Sequence, residues 1–281
     1  MKRSKMWKRI AAVAVLAVAM TLCLTACGGS SSSEEAAGGD LMDKVVANGK
    51  LVVTMNTGNS PWTYKDGDEY DGFAVKLIQG YCAELGVECD IQPMKFESMI
   101  PAVNSGKADI ICTNLSRTVA RSQNVMFTDN IGIDYGVVII RKGDPYKTID
   151  DVNKSGVKLT TETGSSFEGV AASVFPNAEM NTVDTTPNAI QALKAKRADG
   201  MLTNLQIAKD IVKTESSLEI MEQTCYVDPM SFAVDGDPSS VTLLNSFNGY
   251  LEHIKADGTY GQLWKQYTGN DWDPNPDPVS F

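Results

Sequence analysis

Residues 108–130 read ADIICTNLSRTVARSQNVMFTDN, an apolar start that breaks into polar residues ahead of an arginine at position 121. A strand ending in CTNLS would present backbone N–H groups and the hydroxyls of Thr113 and Ser116 at the carboxyl edge of a parallel sheet, where open α/β sheets bind ligands. Thr118 is placed to cap a short helix containing Arg121, whose guanidinium can fold back as a planar fork of donors. Such a set suits a carboxylate, which accepts a bidentate arginine and several N–H bonds at once. On these residues alone, a surface-exposed Arg121 is the alternative.

Positioning that set requires a sheet, and the surrounding pattern supplies one. From Lys50 the chain alternates KLVVTM, then GFAVKLIQGYCAEL with apolar residues at helical spacing, VECDIQPM, FESMIPAVNSG and ADIIC. A second series runs from GVVIIRKG through GVKLTTETGS, SFEGVAASVF, NAIQALKAKR and ADGMLTN to QIAKDIVKT. Alternation of strand and helix predicts βαβ units with a parallel sheet, here as an α/β fold of two lobes. The last part, from MSFAVDGD to LWKQYTG, gives one strand and two amphipathic helices, too little for a third domain, so it must complete an earlier lobe. Tyr260 and Trp264 lie there at helical spacing and are expected in the core.

The chain opens with five basic residues and an apolar run from Ile10 to Leu24, short of the ~20 residues a spanning helix needs, which predicts an export signal over residues 1–26. LTACG at its end resembles the lipobox of bacterial lipoproteins, which implies a diacylated Cys27 and a membrane anchor; two acyl chains hold stably where one is marginal. Residues 27–40, rich in Gly, Ser and Glu, predict a flexible tether. Of 25 Lys and Arg, five fall in the signal, leaving 20 against 35 acidic residues and a net charge of −15. That balance argues against nucleic acid or anionic lipid as a partner.

Cys82, Cys89, Cys112 and Cys225 remain after the signal. In an exported protein Cys82 and Cys89 are disulfide candidates, while Cys112 reads as a small buried hydrophobe. No residues have metal-ligand spacing, no cofactor is expected, and the single histidine, His253, lies in a polar helix.

GKLVV, SPWTYKDGDEYDGFAVKL, FESMIPAVNSGKADIICTNLSRTVARSQNVMFTDN and IKADGTYGQLWKQYTG together resemble the family-3 solute-binding proteins, amino-acid-binding lipoproteins and periplasmic proteins that serve ABC importers. The resemblance covers residues 50–269 and implies a two-lobed, type II periplasmic-binding-protein-like fold with the ligand in the interlobe cleft. Two strand crossovers, near Ile131 to Tyr135 and Asp228 to Phe232, would form the hinge. Lobe 1 would be residues 41–131 plus 231–281, and lobe 2 residues 132–230.

The same resemblance implies roles for single residues. Asn114, Ser116 and Arg121 would hold the α-carboxylate of an amino acid, with Thr113 beside them, and Phe96 would cover the ligand side chain. Trp62 matches a ring that packs under the site, and Glu162, Ser165 and Ser166 match a loop that contacts the ligand from lobe 2. Cys82 and Cys89 would be bridged, as in binding proteins for histidine and for lysine, arginine and ornithine.

Three positions depart from the family pattern. Asn59 replaces an aromatic residue that stacks on the ligand, Asn56 replaces an aspartate, and Asn204 replaces the aspartate that pairs with the ligand ammonium. An amide supplies no charge, which costs on the order of 1–3 kcal/mol of charge-assisted binding, so Asn204→Asp is expected to tighten binding of ordinary amino acids. Glu162 is the remaining acid that could receive an ammonium or a cationic side chain; otherwise the ligand is not a standard α-amino acid.

The function implied is that of a non-catalytic monomer, exported and held outward-facing on the cell membrane through Cys27. It would capture an amino acid or related carboxylate-bearing solute by lobe closure and deliver it to an ABC permease. A cyclohexadienyl-dehydratase-like enzyme on the same fold, with Glu162 or Glu168 as its acid, and a ligand sensor docking on a receptor are the alternatives.

Overall fold

The structure, a computed structural model, describes residues 39–274. The export signal, Cys27, nearly all of the tether and the end of the C-terminal tail lie outside the described residues. Asp40 caps helix α1 (Leu41–Asn48), its side chain accepting from the Met42 N–H at 2.8 Å. Strand β1 (Lys50–Met55) follows, then a small antiparallel sheet of β2 (Gly58–Asn59), β3 (Thr63–Asp66) and β4 (Glu69–Asp71). That hairpin was not expected from the strand–helix alternation; its signal is the Asp66-Gly67 turn, with Gly67 at φ 60°.

The first half continues through helix α2 (Phe73–Leu85), β5 (Glu88–Pro93), a 3₁₀ turn at Phe96–Ser98, helix α3 (Met99–Asn104), β6 (Ile110–Ser116) and β7 (Val125–Phe127). The second contains β8 (Gly132–Arg141), α4 (Ile149–Val152), β9 (Lys158–Glu162), α5 (Phe167–Val174), β10 (Glu179–Val183), α6 (Thr186–Lys194), β11 (Gly200–Asn204), α7 (Leu205–Thr214) and β12 (Leu218–Ile220). Strand β13 (Tyr226–Asp235) returns to the first half, where helices α8 (Val241–Ala256) and α9 (Thr259–Thr268) pack against α1 and α2, as the final segment was expected to do.

Strand order is β10-β9-β11-β8-β13-β6-β1-β5, with β12 beside β8 and β7 beside β13. Within each half the predicted parallel pairing is present: β1 with β5 and β6, and β9 with β10 and β11. The centre corrects the expectation of parallel pairing throughout, because β8 runs antiparallel to β11 and β13 runs antiparallel to both β8 and β6. Residues 132–136 pair with 226–230; beyond that, β8 continues into one half and β13 into the other, so these strands are the two crossovers of a two-lobed fold. Gly132 opens the first with φ 152°, and a Cβ there would lie 2.7 Å from the Trp264 ring, so only glycine lets the chain enter so close to the core.

β6 ends with CTNLS, as expected: all seven residues from Ile110 to Ser116 are buried, and β13 pairs with its end at Leu115 and Ser116. Antiparallel pairing satisfies the backbone there, which lets a polar stretch stay in the sheet.

Trp62, Phe73, Tyr260 and Trp264 form one aromatic cluster, with ring centroids 5.3–6.3 Å apart. Tyr260 and Trp264 are therefore core residues, as expected, and Trp272 of the tail packs on Tyr260 at 4.9 Å. Cys112 is buried and donates to the Ala74 carbonyl at 3.2 Å. The expected Cys82–Cys89 bridge is not formed. Both are free thiols, because the end of α2 and the start of β5 bring the two sulfurs to hydrogen-bonding reach and no closer.

Candidate functional site

Three chain segments meet across the cleft: the end of β6, the loop after β9, and the end of β11. Asn114 Nδ2 donates to Asn204 Oδ1 at 3.1 Å, and the hydroxyls of Ser116 and Ser166 are 2.8 Å apart. Arg121 opens a 3₁₀ turn (Arg121–Gln123) whose N-cap is Ala120 and not the expected Thr118, although the Arg121 N–H donates to Thr118 Oγ1 at 3.2 Å. Its guanidinium donates to the carbonyls of Ser116 and Gly164, each at 2.9 Å, and lies 5.4 Å above the Phe96 ring. Burial lowers the pKa of Arg121, and the Asp228 carboxylate opposes that shift. Gly164 has φ 80° and would place a Cβ 3.1 Å from Glu97, so this contact across the cleft requires glycine.

A cavity of about 30 Å³ lies between these segments. Asn59, Phe96, Asn114, Ser116, Glu162, Ser165, Ser166 and Asn204 line it, together with Phe167, Thr186, Met201 and Ile207, which sequence reasoning had not singled out. The other expected residues stand elsewhere. Trp62 is fully buried in the aromatic cluster beneath, and Thr113 is covered, its hydroxyl donating to Asn56 Oδ1 at 2.9 Å. Arg121 stands beside the cavity with both arms on carbonyl oxygens.

The far end of the cavity is acidic. Glu162 is buried and accepts from the Thr186 hydroxyl at 3.1 Å and from Asn56, while the same hydroxyl lies 2.9 Å from Asn59 Oδ1. Burial pushes the Glu162 carboxyl up to about 7, and these hydrogen bonds only partly offset it. Beyond Glu162 a second cavity of about 320 Å³ is lined by Asn56, Thr57, Met94, Lys95, Thr185 and Thr186. A third, about 300 Å³, lies behind the crossover near Asp134, Lys209, Lys255 and Trp272 and holds none of the expected residues.

Sequence reasoning missed Asp228. Wholly buried on β13, it accepts from Ser116 Oγ at 2.9 Å and from Asn204 Nδ2 at 2.7 Å, while its Oδ1 has no hydrogen-bond partner. Burial raises its pKa to about 6. The available signal was a lone acid in the otherwise core-forming strand YVDPMSFAV, since aspartate is rarely buried without a partner. Thr186 was also missed, and a threonine at a helix start carries no such signal. At the rim Ser60 donates to Asp210, and Lys95 pairs with Asp184 at 2.7 Å.

Arranged this way, the cleft offers hydroxyls, amides and a guanidinium at one end and a carboxylate at the other. Those groups can hold a small polar zwitterion.

Comparisons with known proteins agree with a binding role. The chain is 28% identical over 204 residues to the ABC transporter arginine-binding protein 1 of Escherichia coli (strain K12), covering 71% of this chain and 82% of that protein. It is 25% identical over 235 residues to the L-cystine-binding protein TcyJ of the same strain, covering 82% and 87%. Among solved structures, the ancestral amino acid-binding protein AncCDT-1, a precursor of cyclohexadienyl dehydratase, superposes with a TM-score of 0.75 at 29% identity, covering 81% of this chain and 99% of that one. The sequence profile of one family matches residues 51–270, and the chain accordingly belongs to the bacterial extracellular solute-binding proteins, family 3.

Proposed function

We propose that this protein is the solute-binding lipoprotein of an ABC importer, anchored through Cys27, without catalytic activity, capturing an amino acid by closure of its two lobes and delivering it to a membrane permease. The lobes are residues 41–131 plus 231–281 and residues 132–230, and β13 supports that division by pairing with β8 at residues 226–230 and with β6 and β7 at residues 230–235. One observation carries the reading: Arg121 and Ser116 of one lobe bond Gly164 and Ser166 of the other around a polar cavity. Relatives named as binding proteins for arginine and cystine support an amino acid as the solute.

A cavity of about 30 Å³ is far below the ~300–1,000 Å³ of small-molecule sites, so a solute enters with the lobes parted and is enclosed as they close. The Arg121 fork would then exchange a carbonyl for the ligand carboxylate. Micromolar affinity corresponds to about 8 kcal/mol, within reach of one charged pair, several hydrogen bonds and a buried side chain.

A thermal-shift panel of all amino acids, betaines and small carboxylic acids tests this. Stabilisation by one or a few amino acids is expected, and a flat panel refutes the reading. Glu162, its carboxyl pushed up to about 7 by burial beside the cavity, favours a second reading as a dehydratase acid. Turnover of prephenate or arogenate would establish it in place of the first.

A further inference from the structure

The strongest unassigned feature is the buried acid on the crossover. Position 204 holds an amide where a charge would be needed to receive an ammonium group, and a carboxylate lies directly behind it. Asn204 Nδ2 donates to Asp228 Oδ2 at 2.7 Å, which turns Oδ1 toward Asn114 and the cavity that Asn204 lines. Asp228 can only accept, so this bond fixes which way the amide faces. An amide whose N–H bonds a carboxylate is polarised, and its oxygen becomes a stronger acceptor.

Asp228 is otherwise under-used. One of its oxygens is buried with no hydrogen-bond partner, and Ser116 is its second donor. A buried carboxylate with so few partners is costly unless positive charge comes near it. Arg121 supplies part of that, but its guanidinium bonds to carbonyl oxygens and not to Asp228.

Resting on the amino-acid reading above, we propose that Asp228 supplies, through Asn204, the negative charge that recognises the ammonium group of the bound amino acid. Asn204 makes the contact and Asp228 is the positioning residue behind it. This arrangement also reverses the expectation that Asn204→Asp alone tightens binding: it would set two carboxylates against each other at about the present 2.7 Å, where they cannot both ionise.

Titration calorimetry tests the proposal with the tightest binder among the twenty amino acids and its analogue lacking the α-amino group. Asp228→Asn should weaken the amino acid by about 10-fold or more, the loss of a charge-assisted bond, and leave the des-amino analogue no weaker than before. Asn204→Asp should not tighten binding in the wild-type background, whereas the double variant Asn204→Asp/Asp228→Asn should restore the amino-acid affinity. Equal weakening of both probes, or an unchanged amino-acid affinity in Asp228→Asn, overturns the proposal while leaving the binding function standing. Failure of the wild-type protein to bind any amino acid overturns both. Recovery in the double variant separates a charge role from a folding defect.

Discussion

The two ends of the cleft solve the problem of a buried charge in opposite ways. Arg121 is solvated by dipoles: two carbonyl oxygens at 2.9 Å and an aromatic face at 5.4 Å, all supplied by the protein. Glu162 has a threonine hydroxyl and an asparagine amide, no cation, and a carboxyl pushed up to about 7. The first end is complete when the lobes are closed, whereas the second would gain most from a positive group brought in from outside. Backbone carbonyls hold the guanidinium in place without cancelling its charge, and hydrogen bonds alone do not compensate a buried carboxylate. In the proposed function the arginine end would select an anion, and the acidic end would select the cation that accompanies it.

Breaking the arginine end should have the largest effect. Arg121→Ala leaves the ligand carboxylate without its counter-ion, a loss of roughly 3–5 kcal/mol or about two to four orders of magnitude in affinity. Calorimetry reads it, and circular dichroism should show an intact fold.

The acidic end should behave in the reverse manner. Glu162, Asp134 and Asp228 have values of about 7, 7 and 6, all raised by burial, so the native state binds protons more tightly than the unfolded chain does. Their contribution to stability is full below about pH 4 and falls as pH rises toward 7, with Glu162 costing on the order of 3 kcal/mol above that. The ligand-free protein should melt several degrees higher at pH 5 than at pH 8, and Glu162→Gln should raise the melting temperature at pH 8 and leave it nearly unchanged at pH 4. A melting temperature that rises from pH 5 to pH 8 would mean that the acidic end is already compensated.

Smaller effects sharpen the contrast. Phe96→Ala removes the aromatic face under Arg121 and should weaken binding by roughly 3- to 10-fold, in line with a cation–π contact of about 1 kcal/mol. Lys95→Ala removes the exposed pair with Asp184 at the rim and should change affinity by less than about 3-fold, with the difference vanishing at high salt.

Much of this molecule was legible in its residues. KLVVTM, ADIIC and GVVIIRKG became strands, and Tyr260 and Trp264 entered the core. Periodicity reports which face is buried, so elements with one buried face were readable. What failed did so where partners distant in sequence decide the outcome. CTNLS was read correctly as the end of a strand, but nothing near it announced the pairing with β13, more than a hundred residues later, that holds it in the sheet. Asp228 was read as a hinge residue because nothing near it in sequence announces Ser116 and Asn204 as its partners. The thiols of Cys82 and Cys89 were brought together as expected, but sequence spacing cannot separate a hydrogen bond from a disulfide.

The central claim is that Arg121 reads the carboxylate of an enclosed amino acid. Its most direct test is a titration cycle comparing the tightest-binding amino acid with its methyl ester, in the wild-type protein and in Arg121→Ala. The ester should lose about 100-fold in affinity against the wild-type protein and little or nothing further against the variant, because the two changes remove the same interaction. Equal losses in both proteins, or an ester that binds as well as the free acid, would contradict it.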